Sequence, residues 1–191
     1  MRIARVSFTG DLSYELSIRR TKAPALWDAV IRSGRAQGAA PIGIEALSIL
    51  RAEKGYIMVG KDTDGETMPH DLGFGIPRLK KSAAFIGDRS LHCDKVNALN
   101  RKTLVGLRVP TGDTPLPTGA HFVEGTPPRS LGYVTSSYDS PTLGHPLALG
   151  LVESGTARIG ETISVWHLGE VRKATICAPC AFDPDGGRLH A

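Results

Sequence analysis

The chain has 191 residues, with 23 Lys and Arg against 19 Asp and Glu, and 41% of its residues are hydrophobic. This composition suits a soluble globular protein of one or two domains, and the scattered, mildly basic charge disfavours nucleic-acid binding. No apolar run reaches the ~20 residues needed to cross a bilayer. Because three cysteines occur without a secretion signal, we expect reduced thiols and a cytoplasmic protein.

The first predicted element is a β-hairpin over residues 2–18. Residues 2–8 and 13–18 alternate between apolar and polar side chains, and a TGDL turn separates them. A period of two places Tyr14 and Leu16 on one face of the second strand and Glu15 on the other. From this pattern alone, Glu15 is a solvated strand residue.

A helix is expected from about Thr21 to Ser33, with Pro24 in its first turn. Its predicted buried face consists of Leu26, Trp27, Val30 and Ile31. We interpret Trp27 as a core residue because it shares this stripe with aliphatic side chains.

A second amphipathic helix is predicted from Ile44 and ends before Gly55, a residue typical of helix stops. The apolar run 56–59 is predicted to be a short strand, and the KDTDGE run after it an acidic turn. These carboxylates raise the possibility of a calcium site, which we disfavour because an EF-hand loop needs a longer series of ligands. We interpret Arg51 and Glu53 as a structural pairing with neighbouring loops.

Residues 74–100 predict a locally irregular segment and then a helix from about Gly87 to Asn97. The irregularity is expected because Pro77 would remove a ladder hydrogen bond from any strand that contained it.

From Lys102 onward, short β-like runs alternate with Pro and Gly turns. The runs cover residues 103–109, 120–123, 131–135, 147–152, 162–166 and 171–177. Repeated short strands of this kind favour a small barrel or a sandwich. The expected fold class is therefore α+β, with a domain boundary near residue 100.

Two further groups of residues invite a chemical interpretation. Cys177 and Cys180 form a CAPC motif, but the DPDGG turn that follows and the lack of a second cysteine pair disfavour a redox or zinc site. No metal site is expected. Tyr138 and His145 are interpreted as packing residues of a long loop.

Several motifs, in order along the chain, resemble the glycine cleavage T-protein (aminomethyltransferase) superfamily, and within it the carboxyl-terminal part of sarcosine oxidase alpha subunits. They are SFTGDLSYEL (7–16), LRAEKGYIMVGKDTD (50–64), PHDLG (69–73), FIGDRSL (85–91), GYVTSSYDSPTLG (132–144) and FDPDGGRLH (182–190). The resemblance implies part of a folate-binding lobe in residues 1–100 and a small antiparallel β-barrel in residues 101–191.

The resemblance also assigns two residues to tetrahydrofolate. Glu15 stands where the family's glutamate is implied to bind the pterin ring, and a carboxylate can accept two parallel hydrogen bonds from that ring. Arg188 stands at a tail position implied to lie against the folate. Leu47 replaces a family arginine implied in folate binding, so that contact has no counterpart here.

The implied function is that of a tetrahydrofolate-binding portion of a sarcosine oxidase alpha subunit, which supports oxidative demethylation of sarcosine to glycine with one-carbon transfer to tetrahydrofolate. No residue matches the family's catalytic aspartate, so we expect no catalytic residue and no activity of this chain alone. FAD, FMN and NAD would bind outside it, and the expected partners are the rest of the alpha subunit and the other subunits. The alternatives are a non-catalytic interaction module and an aminomethyltransferase of the glycine cleavage type.

Overall fold

The computed structural model describes residues 1–74, 83–94, 96 and 98–190. Within these ranges it contains two α-helices and eight β-strands. The predicted irregular segment at Pro77 and the predicted helix end at Asn97 lie outside the described residues. In the described part of the chain, no helix is both long enough and apolar enough to span a membrane.

The predicted hairpin forms from β1 (Arg2–Arg5) and β2 (Tyr14–Ser17), which pair in antiparallel. Ile3 lies opposite Leu16, and Ala4 lies opposite Glu15, so the predicted alternation is confirmed. Ile3 and Leu16 nevertheless stay 57% and 38% exposed. The hairpin therefore presents both faces to the surface.

Helix α1 (Ala23–Gly34) has Pro24 in its first turn, as predicted, but contains no buried residue. The prediction that Trp27 lies in the core is wrong, since its side chain is 57% exposed, and Val30 is exposed as well. Leu26 and Ile31 are only half-buried. The physical reason is that the main contacts of α1 within the described residues are with the short 3-10 turns that flank it.

Helix α2 (Ile44–Glu53) packs its last turn against the outside of the carboxyl-terminal sheet. Arg51, Ala52 and Glu53 are buried there. Ala52 joins an apolar cluster formed by leucines on the outer face of the sheet, namely Leu104, Leu147, Leu149 and Leu151.

The strand predicted over residues 56–59 does not form. The carbonyl of Met58 instead accepts hydrogen bonds from the amides of Lys61 and Asp62, at 3.0 and 2.9 Å, which closes a turn. The Asp62 carboxylate also accepts a bond from the Met58 amide at 2.9 Å and holds this turn. Ile57 packs on the outer cluster, so the apolar run contributes to packing without pairing as a strand.

The α-helix predicted from Gly87 is also wrong, since a five-residue 3-10 helix, Asp88–His92, occupies the segment.

Six strands close into an antiparallel barrel, which confirms the α+β class with a small barrel and excludes a sandwich. They are β3 (Lys102–Arg108), β4 (His121–Glu124), β5 (Arg129–Ser140), β6 (His145–Glu153), β7 (Thr162–His167) and β8 (Glu170–Cys177). The order around the barrel is β3-β6-β5-β4-β7-β8, and β8 pairs back with β3. Phe122, Val134 and Val152 are fully buried in the interior.

The loop expected at Tyr138 and His145 is shorter than predicted. Strand β5 continues to Ser140, which pairs with His145, the first residue of β6. Tyr138 lies opposite Leu147 in the same pair of strands. Both residues are therefore strand residues, because long-range pairing extends the strands through a polar run that is typical of loops.

Candidate ligand-binding site at the hairpin and the tail

The last residues of the chain cross the connection between β1 and β2. The Leu12 amide donates to the Arg188 carbonyl at 3.0 Å, and Arg5 Nη2 donates to the Leu189 carbonyl at 2.9 Å. Arg188 Nε lies 3.1 Å from Asp11 Oδ1. These contacts join two segments that are about as far apart in sequence as the chain permits.

A buried lysine anchors the tail. Lys54 Nζ donates to the main-chain carbonyl of Asp183 and lies 3.1 Å from its Oδ2 atom. A Cβ atom at Gly10 would lie 2.5 Å from Cδ of Lys54, so the glycine leaves the space through which the lysine stem passes. The sequence motifs contained both residues but gave neither a role.

The Asp183 carboxylate then shapes the turn that carries Arg188. It accepts hydrogen bonds from the amides of Gly187 at 2.9 Å and Arg188 at 3.2 Å. Desolvation opposes its ionisation, but Lys54 and the two amides outweigh that effect and lower the pKa of Asp183. At pH values above the ordinary pKa of aspartate, the ionised carboxylate therefore holds the tail in place. It loses that role as the pH falls through the lowered pKa of Asp183.

The two residues assigned to folate by resemblance are both accessible. The guanidinium of Arg188 lies 5.4 Å from the centre of the Phe182 ring, and its side chain is 60% exposed. Glu15 is exposed on β2 and accepts a hydrogen bond from Ser17 Oγ at 3.4 Å. The tail thus brings Arg188 to the hairpin that carries Glu15, although no contact joins these two side chains in the described structure.

A cavity of about 310 Å³ lies between the hairpin and the tail. It is lined by Arg5, Val6, Ser7, Ser13, Tyr56, Leu189 and His190. This mixture of apolar walls with hydroxyl, imidazole and guanidinium groups is typical of a small-molecule site, and the volume suits part of such a ligand.

Arg51 is the centre of a separate, buried network. Its Nη1 atom pairs with Asp62 and donates to the Tyr56 carbonyl at 3.1 Å, and its Nη2 atom donates to Ser136 Oγ at 2.6 Å. Ser136 Oγ lies 2.7 Å from Asp62 Oδ1 and donates to it. The network joins α2 to strand β5 of the barrel.

Glu53, two residues after Arg51 at the end of α2, makes a matching connection. Its carboxylate accepts a bond from Ser140 Oγ at 2.6 Å, and its carbonyl accepts bonds from the amides of Ala181 and Phe182. The interpretation of Arg51 and Glu53 as structural groups is confirmed by these contacts.

The acidic run that raised the question of calcium has another use. Asp64 Oδ2 accepts a bond from Tyr133 OH at 3.0 Å, and Asp62 is fully buried against hydroxyl groups of β5. Within the described residues, no group of three or more His, Cys, Asp or Glu side chains is placed to hold a metal ion. The carboxylates attach their loop to the outside of the barrel.

Cys177 and Cys180 both line a cavity of about 360 Å³ on the outer face of the barrel. Cys180 Sγ lies 3.2 Å from the Phe182 carbonyl and donates to it. Burial raises the pKa of the Cys177 thiol, and the nearby charge of Arg108 offsets this only in part. A raised pKa keeps the Cys177 thiol protonated, and therefore less nucleophilic, up to a higher pH than an ordinary cysteine.

Two tyrosines on β5 are expected to ionise at very different pH. Burial and the Asp64 carboxylate raise the pKa of Tyr133 to about 12. Burial also opposes ionisation of Tyr138, but hydrogen bonds from Lys61 and Arg51 lower its pKa below the ordinary value. In an alkaline titration followed by tyrosinate absorbance, each Tyr→Phe variant loses the ionisation step of the tyrosine that it replaces. The step missing in Tyr138→Phe should have its midpoint at a clearly lower pH than the step missing in Tyr133→Phe. Equal midpoints for the two lost transitions would contradict the described hydrogen bonds.

Both parts of the chain are similar to known proteins. Residues 1–78 match the GCVT N-terminal domain, and residues 102–183 match the glycine cleavage T-protein C-terminal barrel domain. The sarcosine oxidase subunit alpha of Corynebacterium sp. (strain P-1) is 37% identical in an alignment that covers 98% of this chain and 20% of that subunit. The aminomethyltransferase of Halothermothrix orenii is 36% identical over 163 residues, which cover 85% of this chain and 44% of that enzyme.

A solved structure confirms the fold. The glycine cleavage system aminomethyltransferase T from Bartonella henselae matches with a TM-score of 0.79 and 23% sequence identity, over 95% of this chain and 50% of that one. The chain thus spans about a fifth of the length of the alpha subunit, and 44% and 49% of the length of two aminomethyltransferases that it matches.

Proposed function

Because the chain belongs to the glycine cleavage T-protein family, we propose that it supplies part of a tetrahydrofolate site in a sarcosine-oxidizing enzyme of the alpha-subunit type. Its residues 1–100 would belong to the folate-binding lobe and residues 101–191 to the barrel domain. The observation that carries the proposal is the attachment of the tail to the hairpin, which places the exposed Arg188 on the element that presents Glu15. The 37% identity to an alpha subunit over 98% of this chain favours that branch.

The side chains at this site fit a folate. Glu15 is an exposed carboxylate able to accept two parallel hydrogen bonds from the amino group and ring N–H of a pterin. Arg188 offers a planar cation to an aromatic ring or to the carboxylates of a folate tail. The cavity of about 310 Å³ between the hairpin and the tail, whose wall includes Arg5 but neither Glu15 nor Arg188, adds room and one cationic side chain.

The role of this chain would be to bind and orient. Tetrahydrofolate, when bound, would accept the one-carbon unit released from sarcosine. Glu15 would fix the ring in one orientation, while Arg188, held by Asp11 and by the Asp183 turn, would fix its position. Holding an acceptor close to a reactive intermediate gives a rate advantage by proximity without any proton transfer from this chain. FAD, FMN and NAD of the complete enzyme would bind elsewhere.

The first test is folate binding by calorimetry, with the chain alone and after mixing with the remaining region of an alpha subunit. We expect tetrahydrofolate to bind in the mixture and weakly or not at all to the chain alone. In the mixture, Glu15→Gln should weaken binding about 10- to 100-fold, because a hydrogen bond to a charged group contributes about 1.5–3 kcal/mol.

Glu170→Gln is the matched control, since Glu170 is also an exposed strand glutamate but lies on β8 of the barrel. It should leave folate affinity unchanged. If wild-type chain binds no folate in either condition, the proposal is wrong; if Glu15→Gln and Glu170→Gln behave alike, the pterin role of Glu15 is wrong.

A further inference from the structure

The two tyrosines of β5 have opposite hydrogen-bonding environments. The Tyr133 hydroxyl donates to Asp64 Oδ2 at 3.0 Å, so its proton has an acceptor. The Tyr138 oxygen instead accepts hydrogen bonds from Lys61 Nζ at 2.7 Å and from Arg51 Nη2 at 3.3 Å. Within the described residues, no carboxylate or carbonyl accepts the proton of Tyr138. Two cationic donors and no acceptor favour the ionised form of this hydroxyl, since hydrogen bonds to a charged form stabilise it.

Lys61 supplies the charge that is not already compensated. The guanidinium of Arg51 is paired with the buried carboxylate of Asp62. In the part of the chain that the structure describes, Lys61 forms no ion pair, and its ammonium donates to the Tyr138 hydroxyl. Lys61 is exposed and Tyr138 is half-buried, and the contact between them is open to solvent. A small reagent can therefore reach the oxygen that the lysine activates.

We propose that Tyr138 is a nucleophilic tyrosine and a site of covalent acylation, activated by Lys61. The reagent that it would take is a small acyl donor with a good leaving group, such as an acyl imidazole. The Tyr138 oxygen attacks the carbonyl carbon and forms a C–O bond, and the bond from that carbon to the imidazole nitrogen breaks. The imidazole leaves with the bonding electrons and takes up the proton lost by the hydroxyl, so the products are an aryl ester and neutral imidazole.

The electrostatics of the pair agree with this role. Burial opposes ionisation of Tyr138, but the hydrogen bonds from Lys61 and Arg51 outweigh burial and lower its pKa. For Tyr133, burial and the Asp64 carboxylate act in the same direction and raise the pKa to about 12. The same strand thus carries one activated and one deactivated tyrosine, and the second serves as an internal reference for the first.

Acylation would change how the loop of Lys61 is attached to the barrel. An ester oxygen carries no charge, so Lys61 would lose the phenolate that it contacts, while Arg51 would keep its other buried partners. The modification would therefore release the loop without dismantling the network that joins α2 to β5. Neither Glu15 nor Arg188 takes part, so the inference goes beyond folate binding.

The test uses the full 191-residue chain and N-acetylimidazole as the acetyl donor. Peptide mass spectrometry measures the rate of acetylation of each tyrosine near neutral pH. Although Tyr14 is 59% exposed, we expect Tyr138 to react about 3- to 10-fold faster than Tyr14, because reactivity follows the ionised fraction. Tyr133 should react most slowly. Hydroxylamine should then remove the label from Tyr138, since it cleaves aryl esters and leaves lysine amides intact.

Lys61→Met removes the activating cation and keeps a long side chain. It should slow acetylation of Tyr138 by a similar factor. Lys102→Met is the matched control, because Lys102 is also an exposed lysine and lies 5.5 Å from the ring centre of Tyr133, the other tyrosine of β5. It should leave the rate at Tyr138 unchanged. Circular dichroism should show that both variants remain folded, since neither replaced side chain is buried.

Three results would overturn the inference. The first is acetylation of Tyr14 at least as fast as that of Tyr138. The second is a rate at Tyr138 that Lys61→Met leaves unchanged, or that Lys102→Met lowers as much as Lys61→Met does. The third is a hydroxylamine-resistant label on Lys61 with none on Tyr138, which would make the lysine the nucleophile. Folate is absent from these assays, so failure here is distinguishable from failure of the folate proposal.

Discussion

Replacement of Arg51 by alanine should destabilise the protein by about 3–5 kcal/mol, because it leaves the buried carboxylate of Asp62 without its cation. Both side chains are fully buried and paired. Asp62 would retain bonds from Ser136 Oγ and the Met58 amide, but neither supplies a positive charge. The free energy of unfolding in urea, fitted for wild type and variant with the same slope, measures the effect.

Arg129→Ala is the control for loss of an arginine as such. Arg129 pairs with Glu153 at 2.6 Å, yet its side chain is 58% exposed. Exposed ion pairs contribute little to stability because water and salt screen them. We therefore expect the urea midpoint of Arg129→Ala to stay close to that of wild type. A similar loss in both variants would show that burial of the Arg51 pair does not determine its contribution.

The second large effect is expected for Gly55→Ala. Gly55 has φ +74°, and a Cβ atom there would lie 2.6 Å from the carbonyl carbon of Pro179 and 2.8 Å from the Cys180 nitrogen. The left-handed backbone costs an L-residue about 1–2 kcal/mol, and overpacking against main-chain atoms that cannot rotate away adds about 1–3 kcal/mol. The sum predicts a loss of about 2–5 kcal/mol in the free energy of unfolding.

Gly60→Ala separates the two contributions. Gly60 has φ +85°, but no heavy atom lies within 4 Å of the position that a Cβ atom would take there. We expect only the conformational part, about 1–2 kcal/mol, from this variant. Thermal unfolding of the two variants side by side gives the difference, and equal losses would mean that the close approach of the tail segment to Gly55 has no energetic weight.

The strands of the barrel can be predicted from the sequence because the alternation that marks a strand depends only on neighbouring residues. A strand whose two faces differ alternates apolar and polar residues, and each of the six predicted runs overlaps a barrel strand. Strand ends were less predictable. Tyr138 and His145 lie in a run of Ser, Asp and Pro that is typical of loops, and only the pairing of β5 with β6 makes them strand residues.

The site was accessible only in part. The motifs pointed to Glu15 and Arg188, and the alternation of β2 placed Glu15 away from Tyr14 and Leu16. Nothing in the sequence indicated that Arg188 contacts Asp11 or that Lys54 holds Asp183, because these pairs are separated by more than a hundred residues. The carboxylates of Asp62 and Asp64 resemble cation ligands in the sequence because their hydroxyl partners lie about seventy residues away, on β5.

Local structure follows from the order of the amino acids: the hairpin, both helices, the strands of the barrel and the left-handed turn at Gly55 each depend on neighbouring side chains and backbone preferences. Which of these surfaces are covered is a property of the folded chain. An apolar stripe such as that of Trp27 shows that a helix has a face to bury, but burial depends on what lies opposite. For Arg51, the opposite surface is strand β5 of the barrel, and for Trp27 the described chain supplies none.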